Sequence, residues 1–173
     1  MRRLLVCLIL LAGCSRRHSS GGREFVQPHY ADGAAGLKQM WSEILVAGKN
    51  DDRERIHDLL ATTLCTDVEM KRLFGAKADA LLPRYHQLMG TLINRGAVEF
   101  AGNVYEHKYD AIDTFADDSD TPLEAAMVET HPLFSARVRK NADSRGLRYD
   151  AFFYLDGRWR TLNQLGKFVD IVK

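Results

Sequence analysis

Near Gly96 the spacing of apolar residues changes from a helical period to alternation, so this chain is expected to fold helices first and strands afterwards. Upstream, Leu37, Met40, Trp41, Ile44 and Leu45 form the stripe of an amphipathic helix that begins at Ala34, with Gly48 as its stop signal. Asn50 or Asp51 is expected to cap a second helix whose inward face is Ile56, Leu59 and Leu60. Thr66-Asp67-Val68-Glu69 has capping-box spacing ahead of Met70, Leu73 and Phe74. Gly75 interrupts, and Ala76 to Ile93 continues with Leu81, Leu82, Tyr85, Leu88, Met89 and Leu92. Pro83 is expected to kink that helix or begin its second part, and Gly96 to close it.

Beyond Gly96, Val98 and Phe100 open the alternation. A strand is then expected to place Tyr105, His107, Tyr109, Ala111, Asp113 and Phe115 on one face, with Val104, Glu106, Lys108, Asp110 and Ile112 on the other. The acidic run Asp117 to Asp120 reads as a solvated turn. Leu133 to Lys140 is the next strand and Asn141 to Gly146 the next turn. In Leu147 to Leu155, Leu147, Tyr149, Ala151, Phe153 and Leu155 share one side, and Arg148, Asp150, Phe152 and Tyr154 the other. Asp156-Gly157 suits a type I′ hairpin turn, which needs positive φ at both central residues, and Arg158 to Leu162 returns. The expected fold class is α+β, with N-terminal helices packed on a curved, cone-like antiparallel sheet.

The N-terminus carries a different message. Arg2 and Arg3 precede an apolar stretch from Leu4 to Gly13, and small residues lead to Cys14, the layout of a secretory signal. That stretch falls well short of the roughly 20 residues of a membrane-spanning helix. Leu11-Ala12-Gly13-Cys14 resembles the lipobox of bacterial lipoproteins. The resemblance implies diacylglyceryl transfer to the Cys14 thiol, cleavage after Gly13, and usually acylation of the freed amine. It places the protein in the bacterial cell envelope, facing the periplasm, with the membrane reached through the lipid on Cys14. Two or three acyl chains, palmitate among them, give a durable anchor where one does not. Ser15 is not the aspartate that resembles an inner-membrane retention signal in enteric bacteria, which favours the outer membrane over the cytoplasmic one. The expected organisation is a signal peptide at 1–13, a lipidated cysteine with a flexible tether at 14–33, and one domain at 34–173. Arg16 and Arg17 can meet anionic lipid or simply be solvated.

The full sequence has 24 Lys and Arg against 23 Asp and Glu, and loss of Arg2 and Arg3 with the signal leaves one more acid than base. Such a balance lacks the basic stripe that nucleic-acid binding needs. Cys7 leaves with the signal and Cys14 takes lipid, so Cys65 remains alone and is expected as a small buried hydrophobe. No phosphate loop, dinucleotide glycine fingerprint, nucleophile elbow or His-Glu-x-x-His helix occurs. The six histidines lack metal-ligand spacing, so neither metal nor cofactor is expected.

Helices followed by a meander, closed by Phe153-Tyr154-Leu155-Asp156-Gly157-Arg158-Trp159-Arg160, resemble the nuclear transport factor two-like (cystatin-like) superfold over about residues 34 to 168. That resemblance implies a cone-shaped cavity but no single function, because such folds host isomerases, dehydratases, ligand carriers and assembly modules. Tyr105, His107, Tyr109 and Asp113 are the candidate cavity residues, able in principle to supply a general base and hydroxyl donors. The reading adopted is a non-catalytic domain that binds a small or lipidic ligand or another envelope protein. The alternatives are an isomerase or dehydratase using Asp113 or His107, and a structural or spacer lipoprotein. Arg137, Arg139, Arg148 and Asp150 are expected as cross-strand surface pairs, a possible docking face, and Trp159 as a core residue closing against a helix. Lys167 to Lys173 is expected either to pack as an edge or to act as an interaction tag.

Overall fold

The computed structural model describes residues 25–117 and 121–171. Cys14, the signal and the first part of the tether lie outside them. The helices are α1 (Ala34–Lys49), α2 (Arg53–Ala61), α3 (Asp67–Phe74), α4 (Ala78–Ala101), α5 (Asn103–Glu106) and α6 (Thr121–Ala126). The strands are β1 (Ala111–Ala116), β2 (Phe134–Arg139), β3 (Leu147–Leu155) and β4 (Arg158–Thr161), paired antiparallel in sequence order. The protein is α+β, with its N-terminal helices packed against a four-stranded antiparallel sheet.

Local signals account for most helix ends. The capping box forms as its spacing predicts, with Glu69 N–H donating to Thr66 Oγ1 at 3.2 Å and Thr66 N–H donating to Glu69 Oε2 at 2.6 Å. The cap of α2 is Asp52, one residue beyond the expected pair, and it accepts from Arg55 N–H at 2.9 Å. Glu69 has a second task, since its Oε1 accepts from Arg160 Nε at 3.0 Å and Nη2 at 2.7 Å, tying α3 to β4. Burial opposes the charge on Glu69, but the Thr66 backbone N–H and the Arg160 guanidinium outweigh it and hold the carboxyl below its usual range.

The expected end of α4 is overturned. The helix runs unbroken past Pro83 and through Gly96 to Ala101, so Val98 and Phe100 are helical. The apolar set Ile93, Gly96, Ala97, Phe100 and Ala101 keeps helical spacing, and tertiary packing selects it over the shorter alternation. Gly96 serves close approach, since a Cβ there would lie 2.6 Å from Leu60 Cδ1 on α2. At about 1.5 Å per residue α4 is about 36 Å long. It joins both hydrophobic clusters: Leu81, Tyr85 and Met89 pack with α3 and α6, whereas Ile93 and Phe100 pack with α1 and α2.

The sheet also departs from simple alternation. Between the pairs Phe134↔Phe152 and Ala136↔Tyr149, β3 carries one extra residue, and Ala151 takes φ of 55°. This bulge resets the faces. Phe152 joins the α1 cluster, with Tyr149 and Tyr154 packed against it, while Ala151, Phe153 and Leu155 join the α3 cluster. Asp156 and Gly157 adopt φ of 49° and 81°, as the expected turn requires. Trp159 is fully buried; its indole N–H donates to Ala31 O at 3.2 Å. Gln27 and Tyr30, expected in the tether, are buried against the domain, and Gln27 Oε1 accepts from Trp159 N–H at 3.1 Å. The C-terminal segment packs as a 3₁₀ helix, Leu165–Ile171, with Val169 buried.

Gly48 marks the tightest helix contact, because a Cβ would lie 2.4 Å from the Phe100 carbonyl oxygen, whereas a Cβ at Gly90 meets nothing within 4 Å. Gly48→Ala is therefore expected to destabilise by about 2 kcal/mol despite alanine's better helix propensity, and Gly90→Ala to stabilise by up to about 1 kcal/mol. Urea denaturation of the two variants checks both signs.

Candidate functional site

The expected constellation does not assemble on one strand. Tyr105 falls on the short α5, and His107 ends that helix as an exposed residue with φ of 43°. Neither belongs to a strand, because β1 begins only at Ala111. Asp113 is on β1, where its carboxylate pairs with Arg139 across the sheet. Tyr109 lines a cavity whose described lining includes neither His107 nor Asp113. It is fixed by the buried amide of Asn103, which accepts from Tyr109 N–H at 2.8 Å and donates to Tyr109 O at 2.9 Å. A side chain thus replaces the strand pairing that the sequence suggests.

That cavity is a groove of about 780 Å³ between α4 and the start of β3. It exists because β4 is short. β4 pairs with β3 only from Phe152 to Leu155, so Leu147 to Tyr149 have no strand partner on that side. Asn163 closes the gap from the end of β4, its Oδ1 accepting from Asp150 N–H at 3.2 Å. Tyr149 lies against Trp41, with ring centroids 4.7 Å apart, while Leu88 and Leu92 of α4 supply apolar lining. Val98 is 65% exposed and Leu147 41% exposed, and both line the groove.

Its polar groups come mainly from one face of α4. Glu99 Oε1 accepts from the Tyr109 hydroxyl at 2.6 Å, and Lys108 Nζ approaches the same oxygen at 3.9 Å. Arg84 donates to Gln87 Oε1 at 2.6 Å and lies over the Phe168 ring at 4.0 Å. Arg95 is exposed and has no ion pair among the described residues. Burial first, then the negative charge of Glu99, pushes the Tyr149 phenol up to about 12, with Arg95 pulling the other way. The Tyr109 phenol is raised as well, by burial and by its bond to Glu99. Both phenols therefore remain protonated donors at neutral pH.

The other sequence candidates lie elsewhere. Cys65 is buried, as expected; desolvation pushes its thiol up to about 12, and its backbone N–H donates to the Tyr85 hydroxyl at 2.6 Å. Asp117, expected in a solvated acidic turn, is instead 3% exposed. It accepts from Ser135 Oγ at 2.6 Å and from Arg148 Nη2 at 2.8 Å, a polar cluster that also includes Asp150. Arg137 stacks over Phe115 at 5.4 Å, with Arg148 over the same ring at 5.3 Å. The expected cross-strand pairs form only in part: Arg139 pairs with Asp113 across the sheet, whereas Arg148 pairs with Asp150 of its own strand and with Asp117, and Arg137 stands directly opposite Arg148. Among the described residues no group of three or more His, Cys, Asp and Glu is placed to hold a metal. No helix among them is long and apolar enough to cross a membrane.

Sequence reasoning missed Arg95, Asn163 and the α4 side of the groove. Arg84, Leu88, Arg95 and Glu99 recur at helical spacing, a signal legible only once α4 is known to continue past Gly96. Comparisons with protein-family models, with curated proteins and with solved structures return no match for this chain.

The groove electrostatics predict opposite effects from two neutralising changes. Glu99→Gln is expected to lower the Tyr149 titration from about 12 and Arg95→Gln to raise it. NMR of ring-labelled tyrosine as a function of pH checks both, and a Tyr149 signal indifferent to either change contradicts the arrangement.

Proposed function

We propose that this chain is a lipid-anchored protein of the bacterial cell envelope whose α+β domain binds a small ligand without chemically transforming it. The observation that carries the ligand-binding part is the groove of about 780 Å³, which joins an apolar wall to several polar groups. Its volume falls in the range of small-molecule sites, and its composition of apolar lining with a few convergent polar groups is the usual one. The lipid anchor rests on Leu11-Ala12-Gly13-Cys14, and the outer membrane is its favoured location on the strength of Ser15. The nuclear transport factor two-like relationship stays part of this proposal, supported by the order of helices and meander strands.

The enzyme reading loses support, because the groove lining contains neither His107 nor Asp113. Its carboxylate, Glu99, is engaged by the Tyr109 hydroxyl and flanked by Lys108. A base so occupied is poorly placed to abstract a substrate proton.

Two measurements test the proposal on the full chain expressed in a bacterial host. Radioactive palmitate is expected to label the parent and not Cys14→Ala; equal labelling of both, or none of the parent, removes the anchor. Native mass spectrometry of the protein released from membranes is expected to show a retained small molecule that Thr91→Trp, which fills the groove from an exposed helix position, eliminates. A bare lipidated mass in the parent favours a spacer instead.

A further inference from the structure

The groove's hydrogen-bonding capacity is unevenly spent. Its acceptor, Glu99, receives the Tyr109 hydroxyl and lies beside Lys108. Asn163 Oδ1 is occupied by Asp150 N–H, and that donor fixes which end of the amide is oxygen. What remains is a set of donors: the Arg95 guanidinium, the Asn163 side-chain NH₂ and the Tyr149 hydroxyl. None of the three makes a hydrogen bond to another described residue. Arg84, farther along the same face of α4, is engaged with Gln87 and Phe168, and Arg148 is compensated by Asp117 and Asp150. While Arg84 keeps only its buried Nε without a partner, Arg95 is thus the exposed lining cation with no hydrogen bond or ion pair among the described residues. Leu88, Leu92, Val98 and Leu147 beside it offer apolar surface, the latter two well exposed.

Building on the ligand-binding reading above, we infer that the groove takes an amphipathic anion, with an apolar body against Leu88, Leu92, Val98 and Leu147. Its oxyanion end is held by Arg95, with Asn163 NH₂ and the Tyr149 hydroxyl as neutral donors. A guanidinium has donors and no acceptor, so it pairs with a carboxylate, sulfonate or phosphate oxygen and discriminates against a cation or an uncharged analogue. The Arg95 guanidinium left empty in water costs little, because Arg95 is exposed.

The test uses the full chain bearing Cys14→Ala in detergent-free buffer, so that neither attached lipid nor detergent competes. Two fluorescent probes share an aromatic body: anilinonaphthalene sulfonate carries an anion, and phenylnaphthylamine does not. The sulfonate is expected to bind about tenfold more tightly than the neutral probe, the scale of one charge-assisted contact. Arg95→Gln is expected to remove that preference while leaving the neutral probe's affinity unchanged, and Arg95→Lys to restore part of it. Thr91→Trp is expected to block both probes. If Arg95→Gln leaves the sulfonate affinity intact while Thr91→Trp still blocks both, the anion inference is overturned and the groove reading stands. If Thr91→Trp affects neither probe, or neither binds, both fail. Arg95 and Thr91 are exposed, and near-ultraviolet circular dichroism verifies that the variants keep the parent fold.

Discussion

Everything else in this fold depends on the packing of α4 across two hydrophobic clusters. Its first half lies with α3 and α6, and its second half with α1 and α2. Two glycines make the second contact close: Gly96 against Leu60, and Gly48 of α1 against the Phe100 carbonyl. Such contacts admit no added methyl group without displacement, because protein interiors are packed at crystal-like density. A helix held at both ends fixes the line along which Arg84, Leu88, Arg95 and Glu99 face the sheet.

The groove follows from what the sheet fails to do opposite that line. A bulge at Ala151 turns β3, and β4 ends at Thr161, so the first residues of β3, paired with β2 on one side, have no strand partner on the other and line a groove with α4. Exposed strand edges invite unwanted pairing and are normally covered. Here Asn163 satisfies Asp150 N–H and leaves an opening beyond it. Ordinary alternation sends Phe152 and Phe153 into different clusters, and the bulge brings Tyr149 to the side of Phe152.

Local chemistry was readable from the chain wherever a short motif determined the outcome. The capping box at Thr66, the turn at Asp156-Gly157, the burial of Trp159 and Cys65, and the α+β class all follow from such motifs. The errors arose where tertiary packing chose between two locally acceptable periods. Residues 96–101 satisfy both a helical stripe and an alternation, and burial of Phe100 and Ala101 beside α1 selects the helix. That choice moves Tyr105 and His107 off the sheet and separates them from Asp113. Asn103 then holds Tyr109 by side-chain bonds that no sequence period announces. The buried position of Asp117 was equally hidden, because its partners Ser135 and Arg148 are distant in sequence.

Native-state hydrogen exchange along α4 tests the account most directly, since a continuous helix through Gly96 is what places Arg95, Val98 and Glu99 on the groove. The expected result is one uninterrupted block of slowly exchanging amides from the second turn of α4 to Ala101, Pro83 having no amide proton, with the protection of Gly96 matching that of its neighbours. Rapid exchange beginning at Gly96, with protection resuming in an alternating strand pattern over residues 104–110, would contradict the fold and remove the groove with it.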